Sequence, residues 1–198
     1  MAREKRQFPD YPSDGKIGID LSTTYLDPAK ANGAGLTGTY LPHTPGERVS
    51  TSNNGQYVFA LAISTISCFN AVIFGPYGDS ANNVYIGGTL GVMPRYGAVP
   101  ITTTNAAAQG YNMVGIAQTS IDSARYGWIG LNGMLQCNLA VGTNPKLPLY
   151  TTSTAGTLGN TTVSAGFVVG IVANTSATSA SSPMCFVNWP HLMTSNPV

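Results

Sequence analysis

Charge is what this sequence has least of. Charged residues make up 9% of its 198 positions, against about a quarter in an ordinary soluble domain. The net charge of +1 gives no polyelectrolyte drive toward nucleic acid or an anionic membrane. A surface with so little charge must be wetted by Thr, Ser, Asn and exposed backbone or covered by another protein, and disorder is not expected because 43% of the residues are hydrophobic. Histidine is nearly absent: His43 stands between Pro42 and Pro45, His191 follows Pro190, and neither has metal-ligand spacing to Cys or carboxylate. The three cysteines, Cys68, Cys137 and Cys185, form an odd set without a CxxC pair. They are expected to be small buried hydrophobes made in a reducing cytoplasm. No GxSxG elbow surrounds any serine, and no amphipathic helix of more than a few turns is visible. The basic start Met1-Ala-Arg-Glu-Lys-Arg6 is followed by Gln7-Phe-Pro-Asp-Tyr-Pro12 rather than an apolar run, so a signal peptide is not expected.

The few charges are unevenly placed. Six bases and six acids lie within residues 1–50, and five charged residues follow; from Tyr126 onward Lys146 is the only charged side chain. Residues 1–16 are expected to form an extended arm, because Pro9 and Pro12 exclude helix. Its candidate contact residues are Arg3, Lys5, Arg6, Phe8, Pro9, Tyr11 and Pro12. A loop-rich lead-in follows at 17–47, an all-β body at 48–190 and a tail at 191–198. Within the lead-in, Gly33-Ala-Gly-Leu-Thr-Gly38 matches the dinucleotide fingerprint. It lacks the strand before it, and Pro42 and Pro45 deny it the helix after it, so the match is read as chance.

The body is read as short strands joined by Gly, Asn, Thr, Ser and Pro. Arg48 to Ser64 is expected to be a hairpin turning at Asn53-Asn54-Gly55, with Tyr57, Phe59, Leu61 and Ile63 alternating on one face. Tyr57 to Phe74 carries no charge over eighteen residues. Its mid-run Ser64, Thr65, Ser67 and Asn70 favour two strands over a transmembrane helix. Later strands are expected at Trp128–Leu139, Leu147–Thr152, Phe167–Ala173 and Met184–Trp189. Three segment pairs echo one another: Val84–Gly87 with Gly127–Gly130, Pro100–Thr103 with Pro148–Thr151, and Val114–Thr119 with Val169–Asn174. They suggest a duplicated β-meander with units at about 84–130 and 126–190. The expected fold is all-β, an antiparallel β-sandwich or barrel, with Tyr57, Phe59, Trp128, Phe186 and Trp189 as core aromatics.

Several segments, taken in order, resemble the head decoration, or capsid cement, proteins of tailed bacteriophages. They are Asn54-Gly-Gln-Tyr-Val-Phe-Ala-Leu-Ala62, Ile63-Ser-Thr-Ile-Ser67, Arg125-Tyr-Gly-Trp-Ile-Gly-Leu-Asn-Gly133, Lys146-Leu-Pro-Leu-Tyr-Thr-Thr152 and Val169-Gly-Ile-Val-Ala173. The resemblance covers about residues 48–190. It implies a non-enzymatic virion protein made in the host cytoplasm and placed on the capsid exterior. Such a protein would bridge major capsid subunits as a homo-oligomer, with a trimer favoured, and would need no cofactor, metal, membrane or nucleic acid. The rival expectation from composition is a host-recognition or carbohydrate-binding module of a tail fibre or surface array. Burial of Trp128 and Trp189 favours cement; an open groove lined by them favours the lectin-like reading.

Overall fold

The computed structural model describes residues 20–27, 41–51, 54–77, 95–108, 113–162, 166–178 and 182–193. The arm residues Arg3 to Pro12, the fingerprint match at 33–38 and the echo segment Val84–Gly87 lie outside them. The chain is built almost wholly of strands: β1 (Tyr25–Leu26), β2 (Arg48–Ser50), β3 (Gln56–Ala62), β4 (Ala71–Tyr77), β5 (Arg95–Pro100), β6 (Met113–Ala117), β7 (Arg125–Gln136), β8 (Leu149–Thr151), β9 (Leu158–Gly159), β10 (Phe167–Ala173) and β11 (Met184–Met193). One short helix, α1 (Thr103–Ala108), separates β5 from β6. β11 continues through His191, past the body boundary expected at residue 190.

The Asn-Gly turn forms as its residues require. Asn54 takes φ 58°, Thr51 N donates to Gly55 O at 2.8 Å, and Val49 comes opposite Tyr57. The uncharged run from Tyr57 to Phe74 becomes β3 and β4, and no helix among the described residues is long and apolar enough to cross a membrane. Among the described strands all pairing is antiparallel except β3 with β5, where Leu61 and Ala62 run parallel to Gly97 and Ala98; the isolated bridge between Leu139 and Leu158 is parallel too. The all-β expectation holds, in one mixed sheet that is antiparallel but for this pair of strands. The whole of β4 lies between β3 and β5 in the chain, so β5 returns in the direction of β3 after β4 has reversed it.

The pairings of β3, β5, β4, β6 and β7 return to their starting strand, because β7 pairs with both β3 and β6. This closed ring has its own interior: Val58, Ala60, Ala62, Val72, Phe74, Ala98, Ala117, Ile129 and Leu131, plugged by Ile66 and Ile121. Five strands enclose little space, so the interior mixes alanine with a few large side chains. At Gly115 even a methyl would not fit, since an added Cβ would lie 2.4 Å from Ile129 Cγ2.

The outer face of the ring carries the alternate residues Tyr57, Phe59, Leu61, Ile73, Ile116, Tyr126 and Trp128. With Leu135, Leu149, Val168, Ile171, Val187 and others from the later strands they form the larger apolar cluster. β7 belongs to both parts. Leu131 packs in the ring while Leu135 packs outside it, and a register irregularity opposite Gln56/Tyr57 marks the change of face. Beyond it, residues 132–136 pair with β11, and the sheet continues from β11 to β10, from β10 to β8 and from β8 to β9. Asn138 stitches the end of β7 to both sides. Its Nδ2 donates to Cys68 O at 3.1 Å and to Asn70 Oδ1 at 2.9 Å, and its Oδ1 accepts from Ser182 Oγ.

The echoed pair Pro100–Thr103 and Pro148–Thr151 does not share local structure: the first ends β5 and enters α1, the second leads into β8. Thr102 explains why the chain turns helical there. Its Oγ1 accepts from Asn105 N at 3.1 Å while Asn105 Oδ1 accepts from Thr102 N at 2.7 Å, a reciprocal cap on a helix too short to hold itself. Thr102→Ala is expected to cost about 1 kcal/mol in urea unfolding; no measurable change would remove the cap from the account.

Candidate functional site

Phe59 and Trp128 are sealed under a strap. Trp128 is 1% exposed, tilted against Phe59 at 5.0 Å between centroids, and met edge-on by His43 at 4.8 Å. His43 also meets Phe59 at 5.4 Å and Tyr25 at 6.2 Å, and its Nδ1 lies 3.5 Å from Glu47 Oε2. The histidine thus serves as an aromatic lid. Tyr57, Phe59 and Trp128 are core residues as expected.

Phe186 and Trp189 are not, and both expectations are corrected. Phe186 is 50% and Trp189 42% exposed. In β11 the inward positions are Cys185, Val187 and Leu192. Strand alternation therefore throws Phe186 outward, directly opposite Met134 of β7 on one side and Val172 of β10 on the other. Met134, Val172 and Met184 are likewise large apolar side chains left in water. Around them on the same face stand Gln136, opposite Met184, and the facing pair Asn132 and Asn188. No position of this three-strand face carries a charge.

A bulge interrupts the ladder between β10 and β11. Val169 faces His191 and Ile171 faces Val187, so Asn188, Trp189 and Pro190 together oppose Gly170. Gly170 accommodates them with φ 87°, and Trp189 takes φ 45°. Bulges commonly redirect a side chain, and this one sends the Trp189 ring under the Arg48 guanidinium, 4.9 Å from the ring centroid.

The remaining chemistry-bearing side chains are occupied locally. The Asp20 carboxylate accepts from Ser22 Oγ and Thr23 Oγ1, and these bonds hold it below its ordinary range. Asp27 is buried beside β1, and Asp122 lies 3.8 Å from Arg125. Cys137 and Cys185 are buried and unbridged. Its hydrogen bond to Cys185 and its burial push the Cys137 thiol well up, which keeps it protonated. Among the described residues no three His, Cys, Asp or Glu side chains gather as a metal site. A shallow depression beside Thr143 and Asn160 offers few open polar groups. Thr143 Oγ1 donates to Ala140 O, while Asn160 Nδ2 donates to Pro148 O and its Oδ1 accepts from Asn144 N.

No family model, curated protein or solved structure matches this chain. Sequence reasoning missed Met134, Val172 and Met184. The only signal available was the alternation of β11, which marks two faces without saying which one is covered.

Proposed function

We propose that this chain is a non-enzymatic virion structural protein of the capsid cement type. It binds the outside of an icosahedral phage head and bridges neighbouring major capsid subunits. One observation carries the reading: Phe186, Met134 and Val172 form an apolar row in water, ringed by Asn and Gln on a rigid three-strand ladder. An apolar centre with an uncharged polar rim is the make-up of a protein–protein contact. Cement acts by burying surface across joints, so that expansion of the shell must break contacts, and many copies make modest individual affinity sufficient. The arm at residues 1–16, with Phe8, Tyr11 and its bases, is assigned to the shell subunit.

Purified protein mixed with undecorated heads is expected to sediment with them, and removal of residues 1–12 to weaken that attachment while leaving the melting temperature of the body unchanged. Attachment undiminished by the deletion would take the arm out of the mechanism. Binding to host cells and not to heads would replace the reading with the tail-fibre carbohydrate module. That second reading draws on the exposed Trp189, a ring of the kind that stacks on sugars, although Arg48 already lies over it.

A further inference from the structure

The bulge between β10 and β11 builds a site of its own. We infer that Arg48 and Trp189 bind a carboxylate-bearing sugar, a pyranose whose ring stacks on the indole while its carboxylate meets the guanidinium. The inference goes beyond the structural reading above and does not depend on it.

The bulge is what exposes the ring. Cys185 and Val187 point inward, and unbroken alternation would carry residue 189 inward after them. Instead the extra residue passes the inward register to Pro190 and Leu192, both buried, and leaves Asn188 and Trp189 in water. Trp189 takes φ 45° there, opposite Gly170 at φ 87°, and a bulky residue at positive φ is rare. A core aromatic would offset such a conformation by burial, yet Trp189 keeps 42% of its surface exposed. Strained residues of this kind cluster at ligand sites, where the strain holds a group in place for binding.

Charge selects the ligand. The Arg48 guanidinium lies 4.9 Å from the ring centroid, and among the described residues no ion pair includes it. Glu47, the acid next in the chain, is turned to the strap instead. Its Oε2 accepts from Thr44 N at 3.0 Å and lies 3.5 Å from His43 Nδ1. A guanidinium meets a carboxylate through two parallel N–H donors, and an indole offers a flat apolar surface to the C–H face of a sugar. Asn188, beside Trp189 in the chain, and the facing Asn132 supply amide donors and acceptors for hydroxyls. Nucleic acid does not fit, since a lone arginine neutralises almost no phosphate. A neutral sugar would cover the guanidinium without pairing it, at a desolvation cost. One stacked ring and one charge pair make a weak site, on the order of 1 mM for a single sugar, which copies displayed together strengthen.

Fluorescence titration of the full chain reads this site directly, because there are two tryptophans and Trp128 is 1% exposed. Methyl glucuronoside is expected to give a saturable change in emission, with half-saturation at least tenfold lower than methyl glucoside. Sodium acetate at matched ionic strength is expected to be inert. Trp189→Phe is expected to remove the signal, and Arg48→Gln to reduce the acidic sugar to the level of the neutral one. No saturable change, an equal response to the two sugars, or an equal response to acetate overturns the inference. So does a signal kept in Trp189→Phe, which would come from Trp128. The two sugars are compared on the wild type, so the result stands even where a variant fails to fold. If the sugars are inert while Arg48→Glu abolishes sedimentation with undecorated heads, Arg48 pairs with an acidic side chain of the shell; the structural reading survives and the sugar site does not.

Discussion

Trp128→Ala is expected to lower the stability of the chain by about 3–5 kcal/mol, the cost of emptying a fully enclosed aromatic site. For a domain of this length that is a fall in melting temperature of about 10 °C. The ring is 1% exposed and wedged between Phe59 of β3 and His43 of the strap, so its loss opens a cavity at the seam between the ring and the loop that covers it. A companion variant makes the mechanism visible. Trp128 Nε1 is buried without a hydrogen-bond partner, and an unmet buried donor costs about 1–3 kcal/mol. Trp128→Phe removes that donor along with part of the volume, so it is expected to lose less than half of what the alanine variant loses. A loss under about 0.5 kcal/mol for alanine would place the ring at the surface; equal losses for both variants would deny the orphaned donor any weight.

Gly170→Ala is the second large effect. The backbone there has φ 87°, and a Cβ would sit 2.5 Å from Asn188 O and 3.0 Å from Pro190 Cα. The left-handed conformation costs a non-glycine residue roughly 1–2 kcal/mol, and crowding of this kind costs about 1–3 more. The obstacle is backbone on the facing strand, so no rotamer change relieves it. A destabilisation of about 3 kcal/mol is expected in denaturant titration, with the Trp189 bulge the part that gives way. Stability within about 0.5 kcal/mol of wild type would mean that the bulge relaxes freely and imposes nothing on its neighbours.

Local chemistry was the most legible part of the sequence. The Asn-Gly turn and the uncharged strands of the later half each follow from a few adjacent residues. What stayed hidden depends on partners distant in the chain. Nothing in Leu61 or Gly97 announces that β3 and β5 run parallel, because that follows from where β4 lies between them. β11 is the clearest case. Its sequence Met-Cys-Phe-Val-Asn-Trp offers Met184 and Phe186 on one face and the smaller Cys185 and Val187 on the other, and size alone points Phe186 inward. The structure does the reverse, with Cys185 and Val187 facing the cluster that Leu135, Ile171 and Val168 already occupy. The candidate surface was therefore unreadable for the reason that makes it a surface: its residues look like core.

β7 pairs with β1, β3, β6 and β11, and it closes the ring only by joining β3 to β6. During synthesis the first four ring strands must wait, unsealed, until residues 125–131 leave the ribosome. Contacts this far apart in sequence carry a large loop-closure cost, so the chain belongs with slow folders, on the scale of milliseconds to seconds. Its half-made ring, with alanine-lined strands still open at an edge, is the species a cell must keep from sticking to other copies.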